Sequence, residues 1–113
     1  MKTTEKFKYL TNNEKKALKE LKKEVLKLYP DAKLILFGSK VRGDFDEESD
    51  VDVLVIVSEL DFRKKKKIIN TTTEINWKFN TNITSIVVDK EEFLKNKSII
   101  PLYNEIREEG ISV

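Results

Sequence analysis

Leu34-Ile-Leu-Phe-Gly-Ser-Lys-Val-Arg-Gly-Asp-Phe-Asp-Glu-Glu-Ser-Asp-Val-Asp-Val-Leu-Val-Ile-Val57 is the stretch that decides the fold. The apolar run Leu34 to Phe37 reads as a buried strand that stops at Gly38-Ser39. After a polar segment, Ser49-Asp50-Val51-Asp52 leads into a second apolar run, Val53 to Val57. A strand alternates its faces, so Asp50 and Asp52 project to the same side. Two carboxylates placed there repel each other unless a cation sits between them. Hard divalent ions such as magnesium take oxygen ligands of this kind and keep room for substrate phosphates. Gly38 lets the backbone approach a phosphate closely, and Ser39 adds a hydroxyl. A helix opened by Lys40 to Gly43 would aim its free N–H groups at the same place. The residues together suit a triphosphate-plus-metal site.

Composition narrows the chemistry that can be done there. At 113 residues the chain is expected to be a single domain, 1–113, with one modest core and with 1–10 as a loose arm carrying one apolar anchor among Phe7, Tyr9 and Leu10. Lys and Arg number 22 against 20 acids, and a net +2 is too small a surplus to argue for nucleic acid. There is no cysteine and no histidine, which removes disulfides, thiol chemistry, zinc sites and imidazole acid–base catalysis. Carboxylates, hydroxyls, lysines and arginines must carry any reaction, as suits magnesium-dependent phosphoryl or nucleotidyl transfer. Met1 to Lys8 lacks an apolar core, and no stretch has the length of a membrane span, so a cytoplasmic location is expected.

Around the central stretch the pattern alternates helix and strand. Thr11-Asn-Asn-Glu14 has capping-box spacing, and Ala17, Leu18, Leu21, Val25 and Leu28 then recur at helical spacing until Tyr29-Pro30. Strands are expected at Lys33–Phe37, Val51–Val57 and Ile83–Val88, with a helix over Phe62–Phe79 between the last two. Lys40-Val41-Arg42 reads as one helical turn ended by Gly43. Asp89-Lys-Glu-Glu92 opens a short helix, Pro101 opens another that Gly110 stops, and Ile111–Val113 forms a final strand or packed tail. The run Arg63-Lys-Lys-Lys-Lys67 reads as a solvated helix start, since no aromatic or glycine interleaves it. Trp77 and Phe79 read as core.

Gly38-Ser39, ten residues, then Asp50-Val51-Asp52 resembles the signature of the polymerase-β-type nucleotidyltransferase superfamily, and Arg42-Gly43 and Ser49 also fit its smallest members. These are the minimal nucleotidyltransferases, often encoded beside a helical HEPN-type toxin. The resemblance implies an α/β fold: a small mixed sheet of three to four strands flanked by helices, like the polymerase-β palm core. It implies ATP as nucleotide substrate and magnesium held by Asp50 and Asp52, which would be both metal ligands and catalytic residues. Gly38, Ser39, Arg42 and Ser49 would bind the nucleotide. AMP would pass to a hydroxyl acceptor, most simply a side chain of a partner protein such as a HEPN-type toxin, making this chain an antitoxin; a homodimer is compatible with this. The family's transferring members usually carry a third acid on the strand facing the pair. Here Ser85 aligns with that position, with Asp89 and Glu74 as substitutes. The alternative is therefore a weakly active or inactive nucleotide-binding module that acts by stoichiometric association with a partner protein.

Overall fold

The computed structural model describes residues 7–46 and 48–113. The first helix, α1, runs Asn12–Leu28 and starts at the expected capping box: the Thr11 N–H donates to Glu14 Oε1 at 2.9 Å and the Glu14 N–H to Thr11 Oγ1 at 3.1 Å. Strand β1, Lys33–Phe37, is followed by a single helical turn, α2, Ser39–Arg42. Strand β2, Val51–Val57, leads to α3, Phe62–Phe79, and then to β3, Ile83–Asp89. Two short helices, α4 (Lys90–Asn96) and α5 (Pro101–Glu109), precede the two-residue strand β4, Ile111–Ser112. Helix α3 runs unbroken through three adjacent threonines, each hydroxyl bonding back to the carbonyl four residues earlier at 2.8 to 3.1 Å, because its inner face is buried through Ile68, Thr72 and Ile75.

The sheet is mixed, in the order β3-β2-β1-β4. β2 is antiparallel to β1 and parallel to β3, so α3 is the crossover between the two parallel strands. Side-chain parity divides the core in two. Leu34 and Leu36 of β1 and the odd-numbered valines of β2 face α1 and α3, against Leu18, Leu21, Val25 and Ile68. Phe37, Leu54, Ile56 and Val88 face α4 and α5, against Phe93, Tyr103 and Ile106. Both faces of the central strands are covered, which explains their near-continuous apolar runs. Asp52 shares the parity of Leu54 and Ile56 and so lies on the α4/α5 face, at the strand end that those helices leave open.

Where the structure describes the arm, Leu10 is buried and the Tyr9 ring packs beneath Gly43; residues 1–6 lie outside the described region. One expectation of the core changes. Trp77 is not core but 85% exposed. Ile68, Thr72 and Ile75 turn inward on α3, and Trp77, two residues past Ile75, is rotated about 200° away. No helix among the described residues is long and apolar enough to cross a membrane.

Candidate active site

Asp52 pairs in register with Phe37, which places its carboxylate directly beside the Gly38 turn. Gly38 adopts φ 88° and ψ −159°, a conformation that L side chains rarely adopt. A Cβ there would stand 2.5 Å from Asp52 Oδ2. Glycine is thus required twice, once for the backbone and once for the carboxylate that leans over it. Ser39 begins α2 half-exposed, and no side chain caps the turn.

Asp50 is held at both oxygens. Asn82 Nδ2 donates to Oδ1, and Thr84 Oγ1 donates to Oδ2 at 3.0 Å. Both donors come from the start of β3 and its approach, where Asn80-Thr81-Asn82 carries a turn signal in sequence and nothing that marks a partner of a carboxylate. The parallel register sets Thr84 beside Asp52 and Ser85 beside Val53. Ser85 is therefore not at the third-acid position. It points to the opposite face, buried, with its hydroxyl 2.7 Å from that of Thr72 on α3. Thr84, a neutral donor, stands where a third acid would face the pair. Asp89 lies at the far end of β3, opposite Val57, where it caps α4 and accepts the Leu60 N–H. Those backbone donors hold its carboxyl below the usual range. Glu74 is on the exposed side of α3. No group of three or more acids placed to hold a metal occurs among the described residues.

The electrostatics of the pair are unbalanced. Burial and the nearby Asp50 charge push the Asp52 carboxyl up, and Arg42 offsets them in part. Arg42 itself is engaged by acids: Nε lies 3.0 Å from Asp44, and Nη1 is 2.8 Å from Glu109 and 3.7 Å from Glu105, both on α5. Asp44 first and Glu109 second raise the pKa of the guanidinium. Lys40 does not face the site; it is buried and pairs with Glu14 of the α1 cap at 3.2 Å, with Phe45 over its ammonium. The Ser49 hydroxyl closes the preceding loop, accepting the Asp46 N–H at 3.1 Å. Gly38, Ser39, Asp50 and Asp52 are thus brought together, Arg42 stands within electrostatic range of Asp52, and Ser49 and Lys40 hold the frame.

Residues 18–112, from within α1 to β4, match the family described as "Nucleotidyltransferase domain". The chain belongs to that family. This nucleotidyltransferase is 42% identical over 76 residues, 65% of this chain and 77% of the relative, to a protein of Methanocaldococcus jannaschii named "Putative protein adenylyltransferase". A second protein of that organism with the same description is 38% identical over 100 residues, 87% of this chain and 95% of the relative. The fold matches a crystal structure titled as a putative nucleotidyltransferase from Sulfolobus solfataricus, with a TM-score of 0.54 over 86% of this chain and 76% of that one, at 22% identity. The four-stranded mixed sheet with helices on both faces is thus the architecture expected of a minimal nucleotidyltransferase.

Proposed function

We propose that this nucleotidyltransferase moves AMP from ATP, with magnesium, onto a hydroxyl group of a protein, releasing pyrophosphate. One observation carries the reading: Asp50, the residue before β2, stands within electrostatic range of Asp52, and Asp52 lies against a glycine turn that a single Cβ would block. The donor set fits a hard divalent cation, since both ligands are carboxylates and burial together with the Asp50 charge pushes the Asp52 carboxyl up, a cost that a cation between them would offset. Magnesium held by the pair would supply neutralisation of the triphosphate and a lowered pKa for the acceptor hydroxyl. Asn82 and Thr84 fix Asp50 by occupying both its oxygens, so this carboxylate meets its ligand in one orientation. The Gly38 backbone and Ser39 hydroxyl would take the β- and γ-phosphates. Arg42 would exchange an acid partner for a phosphate oxygen, which its fork suits equally well. Ser49 acts through the loop it closes.

The protein acceptor is supported by the names of the two relatives. A HEPN-type toxin as that partner, an antitoxin role and a cytoplasmic location extend the same reading through the family resemblance. The binding-module alternative has one observation of its own, Thr84 in place of an acid beside the pair. The deciding experiment mixes the purified chain, magnesium and ATP labelled at the α-phosphate with lysate of its source cells. Label on a protein band that requires Asp52 establishes transfer and identifies the acceptor by mass. Measurable ATP binding with no label would leave the binding module.

A further inference from the structure

Helix α3 has a second face that the fold does not use. Its inner side is buried through Ile68, Thr72 and Ile75, yet Phe62 is 80% exposed, Trp77 85% and Ile69 38%. At 100° per residue Phe62, Lys66, Ile69, Thr73 and Trp77 fall within an arc of about 80° on the outer side. Single exposed apolar residues need no explanation. Here three large ones form a seam along most of α3, about 22 Å long at the helical rise.

The seam reads almost the same from either end. Ile69 lies beside the midpoint between Phe62 and Trp77. We propose that α3 pairs antiparallel with α3 of a second copy of this chain, about a two-fold axis beside Ile69, with each Phe62 against the partner's Trp77. The charges select this arrangement. Arg63 to Lys67 crowd the first third of α3, and Glu74, its one acid, stands toward the other end. A parallel pair would stack the basic runs. The antiparallel pair brings Glu74 level with Lys65 of the other copy. The helical wheel puts Glu74 on the flank of Arg63 and Lys67, so each Glu74 reaches between two cations, twice by symmetry. The two basic runs are then offset along the axis by roughly 14 Å at 1.5 Å per residue. That exceeds the Debye length of about 8 Å at physiological salt.

Four aromatic side chains at roughly 150–250 Å² each, with two isoleucines and lysine stems, bury on the order of 1,000 Å². That is the lower bound for a specific interface and describes a weak dimer. Asp50 and Asp52 lie on the opposite face of the sheet from α3, so both sites stay open. The inference is independent of the transfer reading, since it concerns association alone.

The chain has one tryptophan and no cysteine, which makes the test direct. Sedimentation equilibrium across the micromolar range should show a monomer–dimer equilibrium, and Trp77 emission should shift to the blue as dimer forms. Ile69→Cys should give a disulfide-linked dimer under mild oxidation, while Glu74→Cys should not, because the two Glu74 positions lie far from the axis. Trp77→Ser should weaken association about tenfold or more, since a buried aromatic anchor dominates a small interface. Lys67→Glu should weaken it too, and adding Glu74→Lys should restore it. A chain that stays monomeric throughout, with Ile69→Cys failing to cross-link, overturns the proposal. Association with unchanged Trp77 emission overturns it as well. So does a blue shift caused by an acidic amphipathic peptide in a chain that remains monomeric, which would assign the seam to a different partner.

Discussion

Replacing Gly38 by alanine should damage the fold and the site together, in separable amounts. The native φ of 88° with ψ of −159° lies in a region that is essentially glycine-only, at a cost on the order of 1–3 kcal/mol for another residue. The added Cβ would fall 2.5 Å from Asp52 Oδ2, well inside any real contact. That oxygen ends a side chain, so the clash is relieved by swinging the carboxylate rather than by moving β2. The stability loss should therefore be about 2–3 kcal/mol, mostly backbone strain. For a domain of this size that lowers the melting temperature by roughly 8–12 °C. Gly43→Ala is the control: its φ of 90° is also strained, but its Cβ would meet the Tyr9 ring at 2.6 Å, away from Asp52. Thermal unfolding by circular dichroism and titration with ATP in magnesium separate the effects. Both variants should melt lower, and only Gly38→Ala should lose ATP binding. A Gly38→Ala protein that melts with the parent and binds ATP equally would refute the close-approach argument.

Removing either donor to Asp50 should loosen the pair without unfolding the chain. Thr84→Val and Asn82→Ala should raise the magnesium concentration needed for half-maximal ATP binding by about tenfold, the order of one lost hydrogen bond to a charged group, and Thr84→Ser should restore it. Asp52 should also tune stability with pH. Its carboxyl is pushed up in the folded chain, so ionisation at neutral pH costs stability, and the cost disappears as pH falls through the folded pKa toward the ordinary carboxylate range. In urea titrations without magnesium, Asp52→Asn should exceed the parent in stability at pH 7, and the gap should close near pH 4; a gap that widened in acid would reverse the sign. Lys40→Met should cost about 2 kcal/mol by stranding the half-buried Glu14 carboxylate, readable as a lower urea midpoint.

The sequence carries most of the fold because local patterns point the same way at each level. Capping-box spacing marks the start of α1, apolar runs mark β1 and β2, and Gly110 marks the end of α5. Parity alone sets Asp50 and Asp52 on one side, since that needs only the period of a strand. What depends on register or on distant chain is not legible. Ser85 and Thr84 differ by one residue, yet a one-residue difference swaps the sheet face, and the α3 crossover decides which of them stands beside Asp52. Arg42 meets Glu109, 67 residues away, only because α5 returns across β1. Trp77 reads as core by composition and emerges as surface by phase, because the buried arc of α3 is already filled.

The most direct test of the central claim is ATP binding with and without magnesium in the parent chain, Asp50→Asn and Asp52→Asn, followed by calorimetric titration. If Asp50 and Asp52 hold the metal that the triphosphate needs, the parent binds ATP in a magnesium-dependent manner. Both variants then lose that dependence while keeping the parent's circular dichroism spectrum. Equal magnesium-dependent binding in all three proteins would contradict the claim and place the nucleotide elsewhere.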